Sequence, residues 1–151
     1  MTVLPYGTWP SAISPAMLTA GGVKLLDVWV DGDRTVWHEA RPAEHGRQVL
    51  VTVESDGTRR DVLPAPFDAR SAVHEYGGGS AWVQDGVAWF VHWADQRIWR
   101  LPVDGSAPPV PLTPEPSTPR SVRYADFRRS PDGAWLVAVR ERHADPADEH
   151  G

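Results

Sequence analysis

The densest collection of reactive side chains in the sequence is Val73-His74-Glu75-Tyr76-Gly77-Gly78-Gly79. An imidazole, a carboxylate and a phenol can move protons or hold a polar substrate. Glycines lose more conformational freedom on folding than other residues, so three in a row imply a positive φ, a bulge or a close approach by another group. If the run begins a strand, the adjacent His74 and Glu75 point to opposite faces and cannot both serve one pocket. His74, Glu75 and Tyr76 are therefore candidate substrate-contact residues. The competing reading is a strand start whose glycines permit tight packing.

The familiar catalytic patterns are missing. A phosphate loop needs G-x-x-x-x-G-K-[ST] ahead of a helix, whereas the glycine run leads into the strand-like Ser80-Ala81-Trp82-Val83. A nucleophile elbow needs G-x-S-x-G, and Gly78-Gly79-Ser80-Ala81-Trp82 ends in tryptophan. Glu75 and Tyr76 also separate His74 from the glycines, so no HGGG oxyanion motif is formed. No catalytic residue is assigned. The best metal-like cluster is His143, Asp145, Asp148, Glu149 and His150, which lacks paired histidine spacing or a regular calcium loop and reads as a solvated turn. No metal ligand and no cofactor are expected. Arg120, Arg123, Arg128 and Arg129 surround Tyr124 and Phe127. A guanidinium fork there could hold a substrate carboxylate, and Arg123 joins the candidate substrate-binding residues; pairing with acids such as Asp126 is the structural alternative. His92 and Asp95 read as hydrogen-bonding turn residues.

These residues sit among short strands. Residues 1–25 form a leader broken by Pro5, Pro10 and Pro15, with one helical turn expected after Ser14. Strand-like runs then follow at Leu26–Val30, Thr35–Ala40, Gln48–Glu54 and Arg60–Leu63, punctuated by Asp31-Gly32 and Asp56-Gly57. The plan recurs in Ser80–Val83, Val87–His92, Arg97–Val103 and Val110–Leu112. A third copy starts at Val122 and turns at Ser130-Pro131-Asp132-Gly133 into Ala134–Arg140. The first-turn glycines stand at 32, 86 and 133, and the second-hairpin glycines at 57 and 105. Four strands per unit at a period of roughly 40 to 50 residues is the mark of propeller blades. A β-sandwich remains the rival architecture. The fold class expected is all-β: a partial β-propeller of four-stranded antiparallel blades, about two and a half of them. Blade one is placed at about 26–66, blade two at about 70–114 and an incomplete blade three at about 120–151. A unit that stops there would expose strand edges open to self-association. The eight tryptophans fall at strand positions and are expected to fill the space between blades.

With 151 residues, 41% hydrophobic and 23% charged, the chain has the balance of a single folded domain. A formal charge of −5 argues against general nucleic-acid binding. Lys24 is the only lysine, and the absence of cysteine excludes disulfides, thiolate metal sites and cysteine nucleophiles. No signal peptide and no apolar run of membrane-spanning length is visible, so no membrane partner and a cytoplasmic location are expected.

Five segments resemble the N-terminal propeller of the prolyl oligopeptidase family of serine peptidases, nearest its dipeptidyl aminopeptidase/acylaminoacyl-peptidase-like branch. They are PYGTWPSAIS, WHEARPAEHGRQVLV (Trp37 to Val51), RSAVHEYGGGSAWV (Arg70 to Val83), ADQRIWRL (Ala94 to Leu101) and RYADFRRSPDG (Arg123 to Gly133). The resemblance implies a propeller of seven or eight blades, here only in part. It also implies a C-terminal α/β-hydrolase domain with a Ser-Asp-His triad, to which the propeller gates access for peptide substrates. No position matches the triad, so the chain alone is expected to be inactive. The glutamate pair that holds a free amine in aminopeptidase branches has no counterpart either. The alternative is a stand-alone propeller-like module that binds peptides or proteins.

Overall fold

A computed structural model describes residues 5–8, 13, 14, 17 and 22–143. The leader's helical turn lies largely outside the described residues, as do Asp145, Asp148, Glu149 and His150 of the acidic tail. At the start of that turn the Met17 amide donates to the Ser14 carbonyl at 3.0 Å and hydroxyl at 3.1 Å.

Among the described residues ten strands form three antiparallel sheets, in chain order within each. The first holds β1 (Lys24–Asp31), β2 (Arg34–Arg41), β3 (Arg47–Val53) and β4 (Arg59–Asp61). The second holds β5 (Ala81–Gln84), β6 (Val87–Val91), β7 (Ile98–Pro102) and β8 (Val110–Pro111), and the third pairs β9 (Val122–Arg129) with β10 (Leu136–Arg142). Each strand is short because an apolar run ends at a residue suited to a tight turn. In the β5–β6 hairpin Asp85 and Gly86 both take positive φ, 51° and 72°, the geometry that matches the twist of the flanking strands.

The sheets stack face to face. Trp29, Val36, Leu50, Phe90 and Leu101 meet between the first and second, while Trp89, Val91, Ile98 and Phe127 meet between the second and third. β1 touches β5, and β5 touches β9, so the first strands of the three sheets lie side by side. Four-stranded antiparallel sheets stacked in this way make an all-β partial propeller. Burial of each large apolar side chain in these layers favours the stack by about 1.5–3 kcal/mol. Side chains also tie the layers at the Asp-Gly turns. The Asp31 carboxylate accepts the Asp85 amide at 2.8 Å and the Gly86 amide at 2.6 Å, and Arg129 reaches Asp85 at 2.6 Å.

The outer faces of the stack are open. Val30 on β1 is 77% exposed, and Leu25, Val28, Trp37 and Val53 line an apolar groove beside it. On the opposite side Val137, Val139 and Trp135 are exposed. Trp135, 71% exposed, departs from the expectation that every tryptophan fills space between sheets. The third sheet has no described neighbour on that side to cover it. Among the described residues no helix is long and apolar enough to cross a membrane.

Candidate functional site

The reactive run is a turn, not a strand. Val73–Glu75 is a kinked turn in which His74 and Glu75 both adopt left-handed backbone with φ of 53° and 67°. Such backbone costs of order 1–3 kcal/mol at a non-glycine residue and persists only where its surroundings enforce it. The opposite-face argument for His74 and Glu75 therefore fails: it assumed strand pleating, and the turn leaves both side chains exposed.

Buried groups enforce the turn from below. Ala72 and Val73 are buried, and the Ala72 amide donates to the side chain of Gln96 at 2.7 Å. Gln96 is itself fully buried, and its amide nitrogen donates to the carbonyls of Trp93 at 3.1 Å and Arg70 at 3.4 Å. From the third sheet, Arg123 Nη1 donates to the Ala72 carbonyl at 2.8 Å and to Glu75 Oε1 at 2.6 Å. The Glu141 carboxylate accepts the His74 amide at 3.0 Å, with His74 Nδ1 at 3.5 Å and His143 Nε2 at 3.2 Å. That amide is the main reason the Glu141 carboxyl is held below the ordinary carboxylate range. Tyr76 closes the turn at 89% exposure, its ring centroid 6.2 Å from that of His74.

The glycines satisfy two of the needs expected of them. Gly77 has φ of +91°, and a Cβ there would stand 3.0 Å from the Ser71 carbonyl. Gly78 and Gly79 face β9, where added Cβ atoms would come within 2.9 Å of the Ala125 Cβ and 2.5 Å of Asp126 Oδ1. In return the Gly79 amide donates to Asp126 at 2.8 Å. Asp126 thus holds the glycine run and is not an arginine partner. The arginines divide instead: Arg123 pairs with Glu75, Arg129 with Asp85, Arg128 stacks on Trp82 and Arg120 on Trp93. His92 and Asp95 are turn hydrogen-bonders, accepting the amides of Asp68 at 3.3 Å and Arg97 at 3.0 Å respectively.

Beside the turn lies a polar cavity of about 380 Å³, bordered by Tyr76, the three glycines, His38 and Asp27 at the β1 bulge. His38 is 4% exposed, its Nε2 has no hydrogen-bond partner, and burial lowers its pKa to about 4. It is neutral at neutral pH. Among the described residues no group of three or more histidine and carboxylate side chains could hold a metal ion.

Of the residues singled out from the sequence, His74, Glu75 and Tyr76 therefore stand exposed on one turn, with the largely buried Arg123 holding it from beneath. The sequence argument missed Gln96, Glu141 and His38. Gln96 and Glu141 act through pairings 24 and 67 residues apart along the chain, and His38 through its burial, none of which carries a local signal.

No protein-family profile and no curated protein matches the chain. Solved structures do. A Mycobacterium tuberculosis puromycin-hydrolysing peptidase aligns over 93% of the chain at 41% identity with a TM-score of 0.82. A puromycin hydrolase aligns over 90% at 34% identity and 0.74, and a mutant puromycin hydrolase complexed with PGG over 85% at 35% and 0.71. The chain spans only 22%, 22% and 21% of those structures. By fold and by sequence the chain belongs to the prolyl oligopeptidase family of serine peptidases, as a portion of its N-terminal β-propeller.

Proposed function

We propose that the chain forms part of the propeller that gates peptide access to a C-terminal α/β-hydrolase domain. In this reading the surface formed by His74, Glu75, Tyr76 and Arg123 contacts the peptide. The observation that carries the reading is the exposed turn itself. Two strained residues and a nearly uncovered tyrosine are held rigidly by Arg123, Glu141 and Gln96. Strain maintained by buried polar groups costs stability, and a surface that served packing alone would gain nothing from it. The likeness to puromycin-hydrolysing peptidases over nine-tenths of the chain supplies the chemical context.

The coding sequence beyond Gly151 tests the architecture: it should run into further Asp-Gly-punctuated strands and then a Gly-x-Ser-x-Gly segment. In the longer product, Tyr76→Ala and Glu75→Gln should raise KM for peptide p-nitroanilides several-fold with kcat little changed, since uniform binding is lost. The 151-residue chain alone should hydrolyse none of them. Fluorophosphonate-sensitive turnover by this chain would overturn the reading.

The open apolar faces of the first and third sheets favour a second reading, a stand-alone peptide- or protein-binding module that covers those faces by self-association. A stop codon after Gly151 with a defined oligomer in light scattering supports it. A monomer or a polydisperse aggregate sinks it.

A further inference from the structure

Trp93, in the turn between β6 and β7, carries two guanidinium groups. Arg70 lies 4.2 Å and Arg120 4.4 Å from its ring centroid. Stacking uses the flat face of a guanidinium and leaves the N–H donors at its edge available. Among the described residues neither arginine takes part in an ion pair, and both direct their guanidinium groups at the same ring. Two guanidinium groups share one indole, and the Asp68 carboxylate acts on Arg70 electrostatically without reaching ion-pair distance.

The arrangement is built rather than incidental. Buried Gln96 ties the main chains of Arg70 and Trp93 together, and Arg120 takes a left-handed backbone with φ of 61°. A cavity of about 320 Å³ opens beside Arg70 and Trp93, bordered also by Arg47 and His92, while Arg120 meets Trp93 outside that lining. Two acids border it. Glu44 is already paired with Arg41 and Arg47, and Asp68 accepts the Gln48 amide. Neither forms an ion pair with Arg70 or Arg120. Residues 70 and 93 connect directly, through Gln96 and Ala72, to the turn that carries Tyr76.

We infer that Arg70 and Arg120, presented by Trp93, form a subsite for the carboxylate of a bound peptide. This rests on the peptide-binding reading above and adds an anchoring point at a distinct set of residues. Planar forks of N–H donors suit a carboxylate, and the aromatic backing holds them in place before the ligand arrives.

The test is calorimetric titration of the full 151-residue chain with N-acetyl-trialanine, with its C-terminal amide and with inorganic phosphate, alongside tryptophan fluorescence. The free acid should bind at least tenfold more tightly than the amide. Arg70→Gln and Arg120→Gln should each weaken the acid about tenfold, the scale of one lost charged hydrogen bond, and leave the amide unchanged. Arg120→Lys, which keeps the charge without the fork, should lose less than Arg120→Gln. Equal binding of acid and amide overturns the inference, as does wild-type affinity in the Arg70→Gln/Arg120→Gln double variant. Phosphate that binds more tightly than the acid removes the peptide assignment. The two readings fail separately. If Tyr76→Ala abolishes binding of acid and amide alike while the arginine variants keep wild-type affinity for the acid, the turn surface stands without the arginine subsite. If the arginine variants lose the acid while Tyr76→Ala and Glu75→Gln do not, the subsite stands without the turn.

Discussion

Lowering the pH should destabilise this chain through His38. In the folded state the imidazole is buried with Nε2 unpartnered, and desolvation brings its pKa from 6.5 to about 4, against a smaller opposing effect of the Asp27 carboxylate. The folded pKa lies below the unfolded one, so the unfolded chain takes up the proton first. Above pH 6.5 the residue is neutral in both states and contributes no pH dependence. Between 6.5 and 4 each pH unit removes about 1.4 kcal/mol of stability, and below 4 the loss levels off near 3 kcal/mol. That is a large share of the 5–15 kcal/mol typical of a folded domain. Urea unfolding followed by tryptophan fluorescence from pH 8 to 4 measures it, with His38→Gln and His38→Leu as comparisons. Carboxylates held low by their partners, such as Asp61 and Glu141, also lose stability on acidification, but they do so equally in wild type and variant. The difference between the two curves isolates His38. Parallel curves through the window from 6.5 to 4 would refute the argument, because no buried neutral imidazole could then be present.

Gly79→Ala should destabilise the fold by about 1–3 kcal/mol in urea unfolding, since the new Cβ meets Asp126 at 2.5 Å and that carboxylate is already fixed by the Gly79 amide. Gly32→Ala provides the contrast: nothing stands within 4 Å, so its cost should be limited to about 1 kcal/mol for its φ of +65°. Asp31→Ala removes the acceptor of two amides in the β5–β6 turn and should cost about 1–2 kcal/mol. Asp31→Asn should recover part of that loss, and equal stability of all three proteins in thermal melts would show that the clamp is idle.

The strands were legible because each is encoded locally. Valines at 49, 51 and 53 and the Asp-Gly pairs at 31, 85 and 132 specify extended runs and the turns between them within a few residues. Strand ends fall within two residues of the boundaries read from the sequence for nearly every strand. The turn at 73–75 was not legible. Its backbone is set by Gln96, Arg123 and Glu141, and a β-branched valine followed by His-Glu-Tyr has no helical or turn signature of its own. The arginines show the same limit. Their clustering at 120–129 was visible, but which acid or ring each one meets depends on how the second and third sheets stack.

The two ends of the strands differ in a way that locates function independently of any single residue. At one end the connections are the short Asp-Gly turns, locked across sheets by Asp31, Asp85 and Arg129. At the other end lie the connections at 42–46, 62–80, 92–97 and 112–121, and of the seven described non-glycine residues with positive φ, five lie there: His45, His74, Glu75, Gln96 and Arg120. Glycine would occupy those positions at no steric cost, as it does at the Asp-Gly turns. Side chains were kept instead. Gln96 needs its amide to hold three backbone groups, Glu75 needs its carboxylate to meet Arg123, and Arg120 needs its guanidinium over Trp93. Strain accepted for the sake of side-chain position is therefore concentrated at one end of the stacked sheets, and the exposed turn and the arginine pair both stand on it.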